Sequence, residues 1–119
     1  MIVTKARVLL VDDEERIRTI YKRWLVRAGY EVVEAASGSE AMQALFAEAR
    51  GIKLVVTDRN MPSGNGEELI RAVQATWPTM PIMLVTGFGD DLRTNVPVLA
   101  KPVNGPTFLA AVERALAAG

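Results

Sequence analysis

Short apolar runs alternate along the chain with longer segments in which apolar residues recur at helical spacing. A short apolar run that ends at polar residues is typical of a strand buried on both faces of a parallel sheet. Strand-like segments lie, in chain order, within RVLLV, YEVVEA, LVVT, PIMLVTG and PVLAKP. We therefore predict five strands, of which the last is short.

The segments between the strands predict helices, because each has an apolar stripe and a signal for its start or its end. SGSE at 37–40 has the spacing of a capping box, Gly29 is placed to end the first helix, Pro78 ends the third and Pro106 opens the last. The stripes are Ile17, Ile20, Tyr21, Trp24, Leu25 and Ala28; Ala41, Ala44, Leu45 and Ala49; Leu69, Ile70, Val73 and Trp77; and Leu109, Val112 and Leu116.

Strands that alternate with helices at this spacing imply right-handed crossovers and a parallel sheet covered on both faces. With 119 residues, half of them hydrophobic, we expect a single doubly wound α/β domain over 1–119. Ligands of such sheets bind at the carboxyl ends of the strands. The polar residues at strand ends of that polarity are Asp12, Asp13, Asp58, Thr86 and Lys101.

The composition restricts the chemistry of that edge. Fourteen basic and fourteen acidic residues cancel, which argues against a general electrostatic grip on nucleic acid or on an anionic membrane. The chain has no Cys and no His, so it lacks a disulfide, a thiolate metal site, a Cys nucleophile and a phosphohistidine of its own. Lys5 and Arg7 interrupt the apolar start, which is too short for a membrane span, so we expect a cytoplasmic protein.

Three carboxylates brought together repel one another unless a cation neutralises them. With oxygen ligands alone, the candidate ions are hard cations, and Mg²⁺ suits one or two carboxylates completed by water and phosphate oxygens. A carboxylate beside Mg²⁺ can act as a nucleophile toward a phosphoryl group. Lys101 would neutralise phosphate charge, and the Thr86 hydroxyl could donate to a phosphoryl oxygen.

Four motifs, LLVDDE, VVTDRNMPSGNG, MLVTG and LAKPV, stand in the order of the receiver domains of two-component response regulators, which the chain resembles over nearly its whole length. The resemblance implies that Asp58 accepts a phosphoryl group from a histidine kinase or a histidine phosphotransfer protein. It implies that Asp13 and Asp58 ligate Mg²⁺ with the backbone carbonyl of Asn60, while Asp12 acts mainly through water. It also makes Thr86 the switch hydroxyl and Lys101 the phosphate-neutralising lysine.

The resemblance further implies a flavodoxin-like strand order, 2-1-3-4-5, and a cis Lys101–Pro102 bond. The chain departs from the family between Gly87 and Pro97, a segment of eleven residues. We expect the fourth helix of the family to be short or replaced by a mobile loop there, since a parallel crossover needs about ten to twelve residues. Val98 stands where the family has its switch aromatic. Phe88 is interpreted either as a residue that takes part in signalling instead or as an apolar plug over the loop.

The leading interpretation is a signalling module that catalyses only the formation and loss of its own aspartyl phosphate. Two alternatives stay open: a small Mg²⁺-dependent phosphohydrolase that forms an aspartyl phosphate, and a degenerate receiver that acts as a scaffold. Taken singly, the acidic residues could be helix caps or turn residues. GNGEEL and GFGDD lack the spacing of nucleotide-binding loops and are interpreted as turns.

The first helix is rich in basic residues, which would either dock an acidic partner or form a solvated face. These residues are Arg16, Arg18, Lys22, Arg23 and Arg27. We expect no direct nucleic-acid binding and no membrane insertion by this chain, and the sequence leaves a homodimer open. It equally leaves open a free-standing regulator and a domain of a hybrid kinase or of a longer regulator.

Overall fold

The computed structural model describes residues 5–61, 64–87 and 95–118. Its strands are β1 (Arg7–Val11), β2 (Glu31–Ala35), β3 (Ile52–Asp58), β4 (Asn60–Met61), β5 (Gly64–Asn65), β6 (Ile82–Thr86) and β7 (Val98–Ala100). The helices of the described ranges are α1 (Glu15–Arg27), α2 (Gly38–Glu48), α3 (Gly66–Thr76) and α4 (Gly105–Ala118). Each of the five strands expected from the sequence is present, and β4 and β5 form a small antiparallel ribbon in addition.

The main sheet has five strands in the order β2-β1-β3-β6-β7, and all of its pairs are parallel. This is the expected order 2-1-3-4-5 once the two ribbon strands are left out of the numbering. β1 and β3 lie side by side in the middle, with Val11 opposite Thr57. The residues that follow these positions, Asp12 and Asp58, therefore emerge at the same edge of the sheet.

The core has two halves because successive residues of a strand point to opposite faces. In β1, Val8 and Leu10 face one half, which α1 and α4 cover, while Leu9 and Val11 face the half covered by α2 and α3. Phe108 of α4 is fully buried in the first half. The sheet is thus covered on both faces, as a doubly wound domain requires.

The helix boundaries follow the local signals. Gly29, the residue after the C-cap of α1, has a φ of 100°, a left-handed conformation that glycine adopts without strain. The Ser37 hydroxyl accepts a hydrogen bond from the Glu40 amide at 3.1 Å, as a capping box requires. One position of the first stripe differs from the prediction, since Ile20 is 38% exposed. Tyr21 and Leu25 are the buried residues of α1.

The Lys101–Pro102 bond is cis, which confirms that prediction. Residues 88–94, where we expected the short fourth helix or a loop and the role of Phe88, lie outside the described residues. Val98, in the place of the switch aromatic, is 41% exposed. Within residues 5–61, 64–87 and 95–118, no helix has the length and apolar character needed to cross a bilayer.

Candidate functional site

Three carboxylates meet at the carboxyl edge of the sheet. Asp12 and Asp13 follow β1, and Asp58 is the last residue of β3. One oxygen atom from each side chain lies within 4.8 Å of the others. Asp12 and Asp58 are buried, whereas Asp13 is the more exposed member of the cluster.

Asp12 is the most enclosed of the three, with 1% of the residue exposed. Its Oδ1 accepts a hydrogen bond from the Glu14 amide at 2.9 Å, and its Oδ2 is buried without a hydrogen-bond partner. Burial raises the pKa of Asp12 to about 6, and the charges of Asp58 and Asp13 act in the same direction. The Glu14 amide and the Lys101 ammonium oppose that rise.

Asp58 lies beside Lys101, which directly follows β7, a strand two places from β3 in the sheet order. The Lys101 Nζ donates to the Asp58 Oδ1 at 3.3 Å, and the Asp58 side chain is 8% exposed. The Lys101 backbone amide also donates to the Thr86 carbonyl oxygen at 2.7 Å. This bond extends the pairing of β6 with β7, so the lysine reaches the site from a fixed backbone position.

Thr86 ends β6 and is fully buried. Asp58 is paired in register with Val85, so Thr86 lies one position further along the same edge. Asn60 begins the small ribbon, and its backbone amide lies 3.5 Å from the Asp58 Oδ1, a long hydrogen bond. The structure thus brings the three carboxylates and Lys101 together and places Thr86 and Asn60 next to them.

A glycine behind the site was not singled out from the sequence. Gly66 opens α3, and a Cβ atom at this position would lie 2.4 Å from the Asp58 carbonyl oxygen and 2.9 Å from a Leu84 methyl group. Its amide donates to the Arg59 carbonyl oxygen at 2.8 Å. The GNGEEL segment is therefore more than turn chemistry, since its second glycine permits close approach of two backbones. The motif alone does not reveal that approach.

The basic residues of α1 divide into two groups. Arg16, Arg23 and Arg27 are exposed. Arg18 is different, because its Nη1 donates to the Asp12 carbonyl oxygen at 2.6 Å and its Nε donates to Glu34 of β2 at 3.1 Å.

Lys22 donates to the second Glu34 oxygen at 2.9 Å. The hydrogen bonds from Lys22 and Arg18 lower the pKa of Glu34, with Lys22 the larger cause. Sequence reasoning offered only docking or solvation for Arg18 and Lys22. Neither of these two interpretations identified Glu34, the partner that Arg18 and Lys22 share.

The donor set of the site consists of oxygen atoms, which suits a hard divalent cation. The buried Asp12 Oδ2 has no hydrogen-bond partner, although a buried carboxylate oxygen ordinarily has one. A cation among the three carboxylates, together with the water molecules bound to it, would supply that partner and would offset the mutual repulsion of the carboxylates. The residues present therefore fit a metal ion.

Comparison with known proteins extends these observations. A family model described as the response regulator receiver domain matches residues 8–113. The chain is 38% identical over 97 residues to the sensor kinase CckA of Brucella abortus, a match that covers 81% of this chain and 10% of that protein. It is 41% identical over 86 residues to a chemotaxis protein CheY homolog of Campylobacter jejuni, covering 70% of this chain and 65% of that protein.

A solved structure shares the architecture as well. The response regulator protein TrrA of Thermotoga maritima, in complex with Mg(2+)-BeF, matches with a TM-score of 0.83 and 28% sequence identity. The match covers 92% of this chain and 98% of that chain. By contrast, the chain spans about a tenth of the sensor kinase and 65% of the CheY homolog.

Proposed function

The chain belongs to the response regulator receiver domain family, and from that membership we propose that Asp58 is the residue that accepts the phosphoryl group. Members of this family are phosphoacceptor modules of two-component signalling, and this chain is such a signalling domain. Its membership of the receiver family supports a protein that modifies itself over the phosphohydrolase alternative.

One observation carries the assignment to Asp58. Its carboxylate is the one that lies both within the acidic cluster and 3.3 Å from the Lys101 ammonium. The ammonium can neutralise phosphoryl oxygens, while the acidic neighbours can hold a metal ion. These two requirements of phosphoryl transfer to a carboxylate meet at Asp58.

The transfer exchanges one bond to phosphorus for another. An Asp58 carboxylate oxygen forms a bond to phosphorus while the bond from phosphorus to nitrogen in a donor phosphohistidine breaks. The imidazole nitrogen leaves with the bonding electron pair and takes a proton from solvent. Lys101 stabilises the phosphoryl charge, and the Thr86 hydroxyl donates to a phosphoryl oxygen once the product has formed.

We propose Mg²⁺ as the ion. Asp13, Asp58 and the Asn60 backbone carbonyl would hold it directly, and Asp12 would hold it through water. When bound, the ion offsets the repulsion between the incoming phosphoryl group and the acidic cluster. The unpartnered Asp12 Oδ2 supports this assignment, and so does the similarity to TrrA, whose structure contains Mg(2+)-BeF.

The phosphoryl donor that we propose is a histidine kinase or a histidine phosphotransfer protein. One relative of the chain is a sensor kinase, and the match covers a tenth of that protein. These 119 residues contain no His, so the donor imidazole lies outside this segment.

The assignment is tested by labelling with acetyl phosphate and MgCl₂, followed by borohydride reduction and peptide mass spectrometry. The wild type should be modified at Asp58, and Asp58→Asn should take up no label. Glu48→Gln is the matched control, because Glu48 is a carboxylate paired with Arg7 at the opposite end of the sheet. It should label as the wild type does.

Two results would contradict the proposal. If the label in the wild type lies on a different residue, Asp58 is not the phosphoryl acceptor. Labelling that continues undiminished in excess chelator would show that the reaction needs no metal ion, since the phosphoryl group would then approach the carboxylates without a cation to offset the repulsion.

A further inference from the structure

Arg18 connects two neighbouring strands at the point where the acidic loop leaves the sheet. Its guanidinium donates from Nη1 to the Asp12 carbonyl oxygen at 2.6 Å and from Nε to Glu34 of β2 at 3.1 Å. The Arg18 side chain is 15% exposed, and its bond to the Asp12 carbonyl oxygen is partly buried, whereas its bond to Glu34 lies at the surface. A planar guanidinium can make two such bonds in a fixed geometry, which a single ammonium cannot.

The other polar groups of Asp12 are held as well. Its amide donates to the Ala35 carbonyl oxygen of β2 at 3.0 Å, and its Oδ1 accepts from the Glu14 amide at 2.9 Å. With the carbonyl oxygen bound to Arg18, the peptide groups on both sides of Asp12 have partners. Because Oδ1 is held by the Glu14 amide, Oδ2 is the one oxygen of this residue without a hydrogen-bond partner, and it is buried.

We propose that Arg18 is a positioning residue for the metal site, which it holds in place by fixing the Asp12 backbone against β2. This inference rests on the proposed function, because it assigns Arg18 to the same cation site. Arg18 does not touch the ion or the phosphoryl group. It acts by holding Asp12, and with it the adjacent Asp13, in a conformation ready to bind a cation.

The sign of the effect separates positioning from simple electrostatics. Arg18 is positively charged and lies beside a cation site, so removal of its charge alone would strengthen Mg²⁺ binding. Loss of a positioning contact would instead weaken binding, because the loop must then be ordered when the ion binds. Contacts that orient metal ligands typically account for about 10- to 100-fold in affinity.

The test is a titration of the full chain with MgCl₂ at constant ionic strength, followed through the backbone amide shifts of residues 11–14 and 58–60. Arg18→Met should raise the Mg²⁺ dissociation constant roughly tenfold. Lys22→Met is the matched control, because it also removes a positively charged partner of Glu34 but breaks no contact with Asp12. It should change the constant by less than about twofold.

Glu34→Gln supplies a second, independent variant. It leaves Arg18 in place but weakens one end of its bridge, so it should weaken Mg²⁺ binding by less than Arg18→Met does. In the Glu34→Gln background, the effect of Arg18→Met should be smaller than in the wild type, since the two residues act through one contact. If the effects of the two substitutions on the Mg²⁺ dissociation constant are additive, Arg18 and Glu34 do not act through their shared contact.

The outcomes for the inference and for the proposed function differ. If the wild type binds Mg²⁺ and Arg18→Met binds it equally well or more tightly, the positioning role is wrong while the metal site stands. If the wild type itself shows no Mg²⁺-dependent shifts, the metal site fails and the inference fails with it. Should Arg18→Met not fold, Arg18→Lys decides by the same comparison, since it keeps the charge and cannot span both acceptors.

Discussion

Substitution of Gly66 by alanine tests how tightly the backbone behind Asp58, the proposed acceptor, is packed. Gly66 begins α3 and is buried, and a Cβ atom there would lie 2.4 Å from the Asp58 carbonyl oxygen. It would also lie 3.0 Å from the Arg59 Cα. Both of these neighbours are backbone atoms, so no flexible side chain can move aside to make room.

The expected cost follows from these distances. To restore a separation of 3.0 Å, the shortest that Cβ atoms ordinarily show, α3 and the end of β3 must move apart by about 0.6 Å. Overpacking of this kind costs about 1–3 kcal/mol. Replacement of glycine restricts the unfolded chain and returns about 0.4–1 kcal/mol. We expect a net loss of about 1–2 kcal/mol in the free energy of unfolding.

Gly38→Ala is the matched control, because Gly38 is the first residue of another helix, α2. A Cβ atom there would meet the Leu69 Cβ at 4.0 Å, an ordinary contact. The effect of the substitution on the unfolded chain is the same in both variants, so the difference between them isolates the clash at Gly66. Urea unfolding in excess chelator, followed by circular dichroism, measures both free energies.

The reasoning also predicts a functional effect, since the atoms that must move belong to the acceptor and its neighbour. Gly66→Ala should take up the phosphoryl group from acetyl phosphate more slowly than Gly38→Ala at equal Mg²⁺ concentration. Equal stability and equal labelling rates in the two variants would refute the close approach of the two backbones.

Three further predictions concern charge and packing. Lys101→Met should slow phosphoryl uptake while leaving the label on Asp58, as a time course of peptide masses would show; an unchanged rate would contradict the role of the 3.3 Å contact. Asp12→Asn should stabilise the metal-free protein at pH 7 by about 1–3 kcal/mol, because a buried carboxyl with its pKa raised to about 6 opposes folding when ionised. The stability difference between Asp12→Asn and the wild type should shrink as the pH falls from about 6 toward 4, because the folded wild type takes up a proton on Asp12 in that range. If the free energies of unfolding of the two proteins, measured with urea, change equally with pH, the prediction is wrong. Phe108→Ala should lower the free energy of unfolding by about 3–5 kcal/mol, because Phe108 is fully buried. Phe46→Ala should lower it by less than about 1 kcal/mol, because Phe46 is 69% exposed. Similar losses for the two variants in urea unfolding would count against the assigned core.

The strand ends could be predicted from the sequence because burial on both faces leaves a continuous apolar run. Such a run stops where the chain leaves the sheet, which placed Asp12 and Asp58 at strand ends without any knowledge of the fold. The meeting of these residues at one edge then followed from the parallel arrangement. The strand order came from the resemblance, because spacing alone does not say which strands are neighbours.

The contacts that support the site could not be predicted because they join residues from separate elements. Arg18 and Glu34 are sixteen positions apart, and nothing in either local pattern indicates that α1 and β2 bring them together. The stripe of α1 was drawn too wide for a related reason. Helical spacing gives an apolar face but not the area that a neighbour covers, and Ile20 lies outside that area.

The position of β1 between β2 and β3 has a consequence for the newly made chain. A ribosome delivers β1 first, yet both of its neighbours in the sheet are synthesised afterwards, and the Lys101 contact with Asp58 closes 43 residues after the acceptor itself. A chain released before Lys101 carries all three carboxylates but lacks the ammonium that contacts Asp58. On the proposed function, rapid phosphoryl uptake would therefore arise late in translation, once β7 has brought Lys101 beside Asp58.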